Sequence, residues 1–270
     1  MPFRPPRAAD LRALLSLALP VIVVQLGLMA MGVVDTIMIG HLSPEALAAV
    51  ALGNVYFFGA SIFGLGTIMA LDPVVAHAVG AGDQEGVAIG VQRGLILAAL
   101  LSVPTALLLL PAASVLTWLK QPAEVAPLAG AYVVVCIPGT IGFFVFTAFR
   151  QSLQALHRVR PMVITIVIAN LINLALNYWF IYGGFGVPAL GVVGSAWATT
   201  VSRLAMAPML LGLAWPLLRQ HLRPWRAAAL EPAPLGRLFR LGAPIGMQYL
   251  LEYGVFAIVA VTAGTTTPDT

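Results

Sequence analysis

Long uncharged, apolar runs divide this chain before any other feature is considered. Residues 13–34, 46–71, 94–119, 125–149 and 161–202 contain no Asp, Glu, Lys or Arg. A helix that spans a bilayer needs about 20 consecutive, mostly apolar residues, so each of the first four runs predicts one spanning helix. The fifth is long enough for two, divided at Tyr182-Gly-Gly-Phe-Gly-Val-Pro188, where Gly and Pro mark a turn. A last apolar stretch runs from about Leu238 to Ala263 with Glu252 inside it. The pattern therefore predicts seven helices, at about 14–39, 46–77, 92–112, 127–150, 161–182, 190–217 and 238–264. The fold class it implies is all-α, a polytopic membrane helix bundle. The longest polar connection, Arg219 to Arg237, holds most of the water-compatible sequence.

Composition supports lipid as the solvent. The chain is 60% hydrophobic and 9% charged, with a mean hydropathy of +0.96. A soluble domain carries roughly 25% charged residues, so there is too little polar surface here to face water all round. Cys136 is the single cysteine. It excludes a disulfide framework and a Cys-based metal site, and in its apolar run it reads as packing. No cleavable signal peptide is expected, because the first apolar run is too long for one.

The net charge of +4 is explained by where the charges sit. With the N-terminus in the cytoplasm, the inner segments hold Arg4, Arg7, Arg12, Arg93, Arg150, Arg158, Arg160, Arg219, Arg223, Arg226, Arg237 and Arg240, while the outer segments hold only Lys120. This asymmetry follows the positive-inside rule and leaves no basic surplus that calls for nucleic acid. Arg203 lies inside a helix.

Ionisable groups inside spanning helices are expensive, about 2.5–3.5 kcal/mol each on insertion scales, and function is their default reading. Asp35, in the outer third of helix 1, reads either as an outer-end acid or as a buried acid that binds a proton or Na⁺. Glu252 lies near the middle of helix 7. Asn173 and Asn177 sit four residues apart on one face of helix 5, with Asn170 a turn earlier. Their carbonyl oxygens suit a hard cation beside a carboxylate, or they hydrogen-bond neighbouring helices. Arg203 reads either as a counter-ion to Asp35 or Glu252 or as a side chain that snorkels toward a water-filled cavity, and a structural ion pair is the expectation. Asp72 is expected to cap or kink helix 2 around Pro73. His41, His77, His157 and His221 are scattered without metal-ligand spacing. No phosphate loop or catalytic motif is present, so an enzyme is not expected.

A faint repeat adds to this. Leu17-Ala-Leu-Pro-Val21 opens helix 1, Leu241-Gly-Ala-Pro-Ile245 opens helix 7, and Gln25 and Gln248 follow soon after the respective prolines. Repeats of six helices in one orientation are a transporter architecture. The expected organisation is an amino-terminal six-helix lobe over 1–217, a cytoplasmic linker over 218–237, and helix 7 over 238–270 as the start of a second lobe. The tail Thr265-Thr-Thr-Pro-Asp-Thr270 then reads as the end of a fragment of a twelve-helix fold.

Several blocks in order resemble the multidrug and toxic compound extrusion (MATE) family, and its NorM-like branch in particular. These are Pro20 with Gln25, Val34-Asp-Thr-Ile-Met-Ile-Gly40, Met69-Ala-Leu-Asp-Pro-Val74 and the loop to Asp83, Arg150-Gln-Ser-Leu-Gln-Ala-Leu156 to Arg160-Pro161, and Asn173 to Gly194. The resemblance implies two six-helix lobes and secondary active efflux of cationic or amphiphilic drugs by Na⁺ or H⁺ antiport. It implies a cation site at Asp35, Asn173 and Asn177, and a coupling acid at Glu252. Na⁺ there would be the only metal, and the coupling ion takes the place of any cofactor. Pro20, Gln25, Gln248 and Arg203 are the candidates for the substrate cavity. The implied partners are small-molecule drugs and the lipid bilayer, with no nucleic acid. The implied setting is the plasma (inner) membrane, a monomer when full length, and antibiotic resistance as the phenotype. The alternatives are a lipid-linked precursor flippase of the same superfold and a non-transporting membrane subunit.

Overall fold

The computed structural model describes residues 8–184 and 186–265, with side chains described for 18–184 and 186–255. The described residues form an all-α bundle. Its helices in chain order are α1 (Ala8–Gly40), α2 (Pro44–Met69), α3 (Leu71–Gly80), α4 (Gln84–Leu109), α5 (Ala112–Trp118), α6 (Val125–Cys136), α7 (Gly139–Ala155), α8 (Arg160–Tyr182), α9 (Gly191–Leu213), α10 (Trp215–Leu222) and α11 (Pro232–Thr265). A single 3₁₀ turn, Ala227–Leu230, precedes α11.

Local chemistry sets the ends. Ser43 Oγ accepts from the Ala46 amide at 3.1 Å and Pro44 takes the first turn of α2, an arrangement that satisfies one orphan donor and wastes none. Asp83 Oδ1 caps α4 by accepting from the Gly86 amide at 2.8 Å. Gly183 ends α8 with φ +81°, a conformation that side chains disfavour.

Seven helices were expected, and the structure subdivides several of them. Among the described residues, four helices are long and apolar enough to cross a membrane by length and composition, or six if each bent pair counts once. The expected helix 4 is α6 and α7, bent by 53° at Ile137–Pro138, because Pro138 has no amide to donate back to the preceding turn. The expected helix 6 ends at Leu213, and α10 turns away by 90°. The expected helix 2 is α2 and α3, divided at Ala70. Asp72 does not cap α3, whose start has no side-chain cap. Its Oδ2 instead accepts from Gln154 Nε2 of α7 at 2.7 Å. The helix expected from residue 92 begins at Gln84, two turns earlier. The tail beyond residue 265 lies outside the described residues.

Helix α9 is the hub, packed against α6, α7 and α8, and α11 packs along α2. Small residues make these crossings close. A Cβ on Gly142 of α7 would meet the backbone of Arg203 and Leu204 on α9 at 2.6–2.7 Å, and one on Gly66 of α2 would meet Gly246 Cα of α11 at 2.7 Å. Without a hydrophobic driving force between helices in lipid, such close backbone packing supplies the adhesion. Large apolar side chains such as Leu107, Leu171 and Leu251 stay exposed on the outside, as a surface solvated by lipid requires.

Candidate cation site and cavity

Asp35 is 1% exposed. It sits on α1, and α8 and α9 bring three donors to it. Asn177 Nδ2 donates to Oδ1 at 2.5 Å and Asn173 Nδ2 to the same oxygen at 3.3 Å. Thr199 Oγ1 donates to Oδ2 at 2.5 Å. Four-residue spacing puts Asn173 and Asn177 on one face of α8, and Asn177 Nδ2 also reaches Asn173 Oδ1 at 3.1 Å. The buried Asn177 Oδ1 has no partner. Orphaned buried acceptors of this kind are rare and call for an explanation. The acid is thus buried inside the bundle rather than placed at an interface.

Asn170 does not join this group. Its Nδ2 donates to Gly27 O at 2.9 Å and Ile166 O at 2.8 Å, so it ties α8 to α1. Thr199 had not been singled out from the sequence. A hydroxyl in a helix carries no insertion penalty to draw notice, and only the α8–α9 crossing brings it to the acid.

Arg203 is 6% exposed, one turn along α9 from Thr199. Asp35, an expected partner, lies within its electrostatic reach but makes no hydrogen bond to it. Its guanidinium lies over the Phe57 ring at 4.1 Å, with Phe143 at 5.4 Å and Phe58 at 5.7 Å. Nη1 has no hydrogen-bond partner. None of the donors to Asp35 comes from Arg203. The two residues both line one small cavity of about 20 Å³. Glu252 is exposed on α11, where its Oε1 accepts from Gln248 Nε2 at 2.9 Å. It is not brought to Asp35.

A second, larger cavity of about 630 Å³ opens between α1, α2, α7 and α11. Its walls are mainly apolar, with Met29, Val33, Ile37, Phe58 and Phe143 among them. Of the expected cavity residues Gln25 lines it, whereas Pro20, Gln248 and Arg203 do not. Arg150, counted above as a cytoplasmic charge, lines it from within α7 and is 6% exposed. No carboxylate lines it among the described residues. Helix α1 therefore carries Asp35 on one face and Val33, Thr36 and Ile37 on the cavity wall.

The sequence model of the MatE family matches residues 20–179. The chain belongs to the MatE family. Solved structures agree with the assignment. The eukaryotic MATE transporter AtDTX14 superposes with a TM-score of 0.85 at 23% identity, covering 95% of this MatE chain and 56% of that one. An inward-facing multidrug resistance MATE transporter of the MOP superfamily gives 0.67 at 26% identity, covering 82% and 50%. An outward-facing structure so described gives 0.77 at 24%, covering 88% and 52%. The chain spans about half the length of the solved relatives it matches. Its family is one of transporters, not enzymes, and it is a multi-pass membrane protein.

Proposed function

We propose that this chain forms the cation-coupled lobe of a secondary transporter that exports amphiphilic organic compounds in exchange for Na⁺ or H⁺. The observation that carries the reading is the sealed Asp35 carboxylate, held by donors from two other helices beside the orphaned Asn177 Oδ1. A proton neutralises the carboxylate directly. Na⁺ is a hard cation that favours carboxylate, carbonyl and hydroxyl oxygen. Rotating the two amides would present Asn173 Oδ1 and Asn177 Oδ1 alongside the Asp35 and Thr199 oxygens.

Coupling to cargo runs through α1. A bound cation replaces hydrogen bonds that tie α1 to α8 and α9, and the neighbouring face of α1 is cavity wall. Ion occupancy thus changes the packing of a cavity-lining helix. The ion biases one conformation only by its differential affinity for the two. Export fits a location in the plasma membrane with a cytoplasmic N-terminus, monomeric action with the second lobe, and a resistance phenotype. Glu252, beside Gln248 on α11, is a second coupling acid in this reading. A cationic cargo would find no acid in the described part of the cavity, so the amphiphilic half of the expectation has the stronger support.

The test is sodium titration of the purified chain in a weakly buffered detergent solution, reading ²²Na⁺ retention and proton release together. The wild-type chain is expected to retain sodium, and to release a proton as sodium enters wherever the carboxyl was protonated beforehand. Asp35→Asn is expected to abolish both signals, and Thr199→Val to weaken them about tenfold, as for one lost hydrogen bond to a charged group. Signals unchanged in Asp35→Asn would remove Asp35 from the coupling role.

A further inference from the structure

Arg150 is the one charged side chain that lines the large cavity among the described residues. Its burial is nearly complete at 6% exposure. A buried guanidinium needs partners for five N–H donors. Arg150 has one long hydrogen bond, from Nη1 to Gln25 Oε1 at 3.4 Å, and its buried Nε has none. Asp72 and Tyr249 lie within electrostatic reach. The Asp72 carboxylate, however, is held through Oδ2 by Gln154. The cation therefore faces a cavity of drug-sized volume whose other walls are mainly apolar and carry no second charge among the described residues, with donors to spare.

From this geometry we infer that Arg150 is an anion anchor, and that the cavity takes an amphiphile with an apolar body and one carboxylate, sulfonate or phosphate group. The planar guanidinium matches such groups with paired N–H donors. The apolar body lies against Phe58, Phe143, Met29 and Ile62. Gln25 is the gatekeeper of the anchor, because its Oε1 is the acceptor the anion displaces. This inference rests on the reading that the cavity is the cargo site and adds the polarity of the cargo.

The experiment uses the whole chain in phosphatidylcholine nanodiscs, with empty nanodiscs as the background. Two fluorescent probes share one arene skeleton and differ in charge: 8-anilinonaphthalene-1-sulfonate and the neutral N-phenyl-1-naphthylamine. The wild-type chain is expected to bind the sulfonate on the order of tenfold more tightly than the neutral probe, as for one hydrogen-bonded charge. Arg150→Gln is expected to erase that preference, with the sulfonate losing on the order of tenfold more affinity than the neutral probe, and Arg150→Lys to keep part of it. Gln25→Glu keeps the guanidinium but sets a carboxylate against it, so it is expected to lower sulfonate affinity as Arg150→Gln does, even if the latter fails to fold. Equal affinity of the wild-type chain for both probes, or a sulfonate preference that survives both Arg150→Gln and Gln25→Glu, overturns the anchor while leaving export intact. Failure of the folded wild-type chain to bind either probe overturns the cargo cavity itself, and the anchor with it.

Discussion

Arg203 and Arg150 are equally buried and solvated in opposite ways. Each is 6% exposed, each sits mid-helix, and each has a nitrogen without a hydrogen-bond partner. Arg203 is enclosed by the rings of Phe57, Phe58 and Phe143. Arg150 faces an open cavity beside Gln25. Aromatic faces offer a cation an electrostatic surface that asks nothing of its N–H donors. A cavity offers nothing until something enters it. Burial alone therefore does not say what a charge is for, and what surrounds it does.

The sharpest way to break this contrast is to remove the ring under Arg203. Phe57→Ala is expected to lower stability by about 3–5 kcal/mol, from the cavity left behind together with the lost cation–π contact. The midpoint of thermal unfolding in detergent measures it, and a cost under about 1 kcal/mol would mean that Arg203 does not depend on its aromatic setting. Overpacking the same neighbourhood from the other side comes next. Gly142→Val forces α7 away from the backbone of Arg203 and Leu204, and a cost of about 1–3 kcal/mol is expected. The same unfolding assay reads it, and wild-type stability would show that the α7–α9 crossing has room to spare.

Arg203→Lys keeps the charge and loses the flat stacking surface. About 1 kcal/mol is expected, seen as a small drop in the unfolding midpoint. The smallest effect is expected at the other arginine. Arg150→Met should cost less than about 1 kcal/mol or raise stability, since replacing a buried charge by an apolar side chain of similar size is often neutral or favourable. A large loss of stability in Arg150→Met would make Arg150 a structural residue like Arg203 and dissolve the comparison.

The two arginines also mark how far the sequence could be read. Arg203 was visible as an intramembrane charge, because it interrupts a helix that is otherwise apolar. Its partner was not visible, since aromatic rings 60 and 146 residues away in the chain carry no pairing signal of the kind a carboxylate does. Arg150 falls at the expected end of its helix, because the uncharged run that measures that helix stops there. Helix α7 continues past Arg150 to Ala155, and the helix expected from residue 92 starts at Gln84, in a stretch whose charges at Glu85 and Arg93 lie outside the uncharged run. At the Asp35 site the residues that bear a cost in lipid, Asp35, Asn173 and Asn177, were legible, and inexpensive Thr199 was not.

Sequence by itself determined that this chain is an all-α membrane protein, that helices 1 and 5 bear its polar cluster, and that its ordered motifs resemble the MATE family. Apolar periodicity, turn residues and the insertion cost of charge are local or one-dimensional properties, so they can be read without the fold. Tertiary structure alone decided which side of α1 meets Thr199, that aromatic rings rather than an acid enclose Arg203, and that Arg150 faces a cavity. Those outcomes depend on how α7, α8 and α9 cross one another, and the crossings are set by small-residue contacts such as Gly142 against α9, between segments distant in the chain.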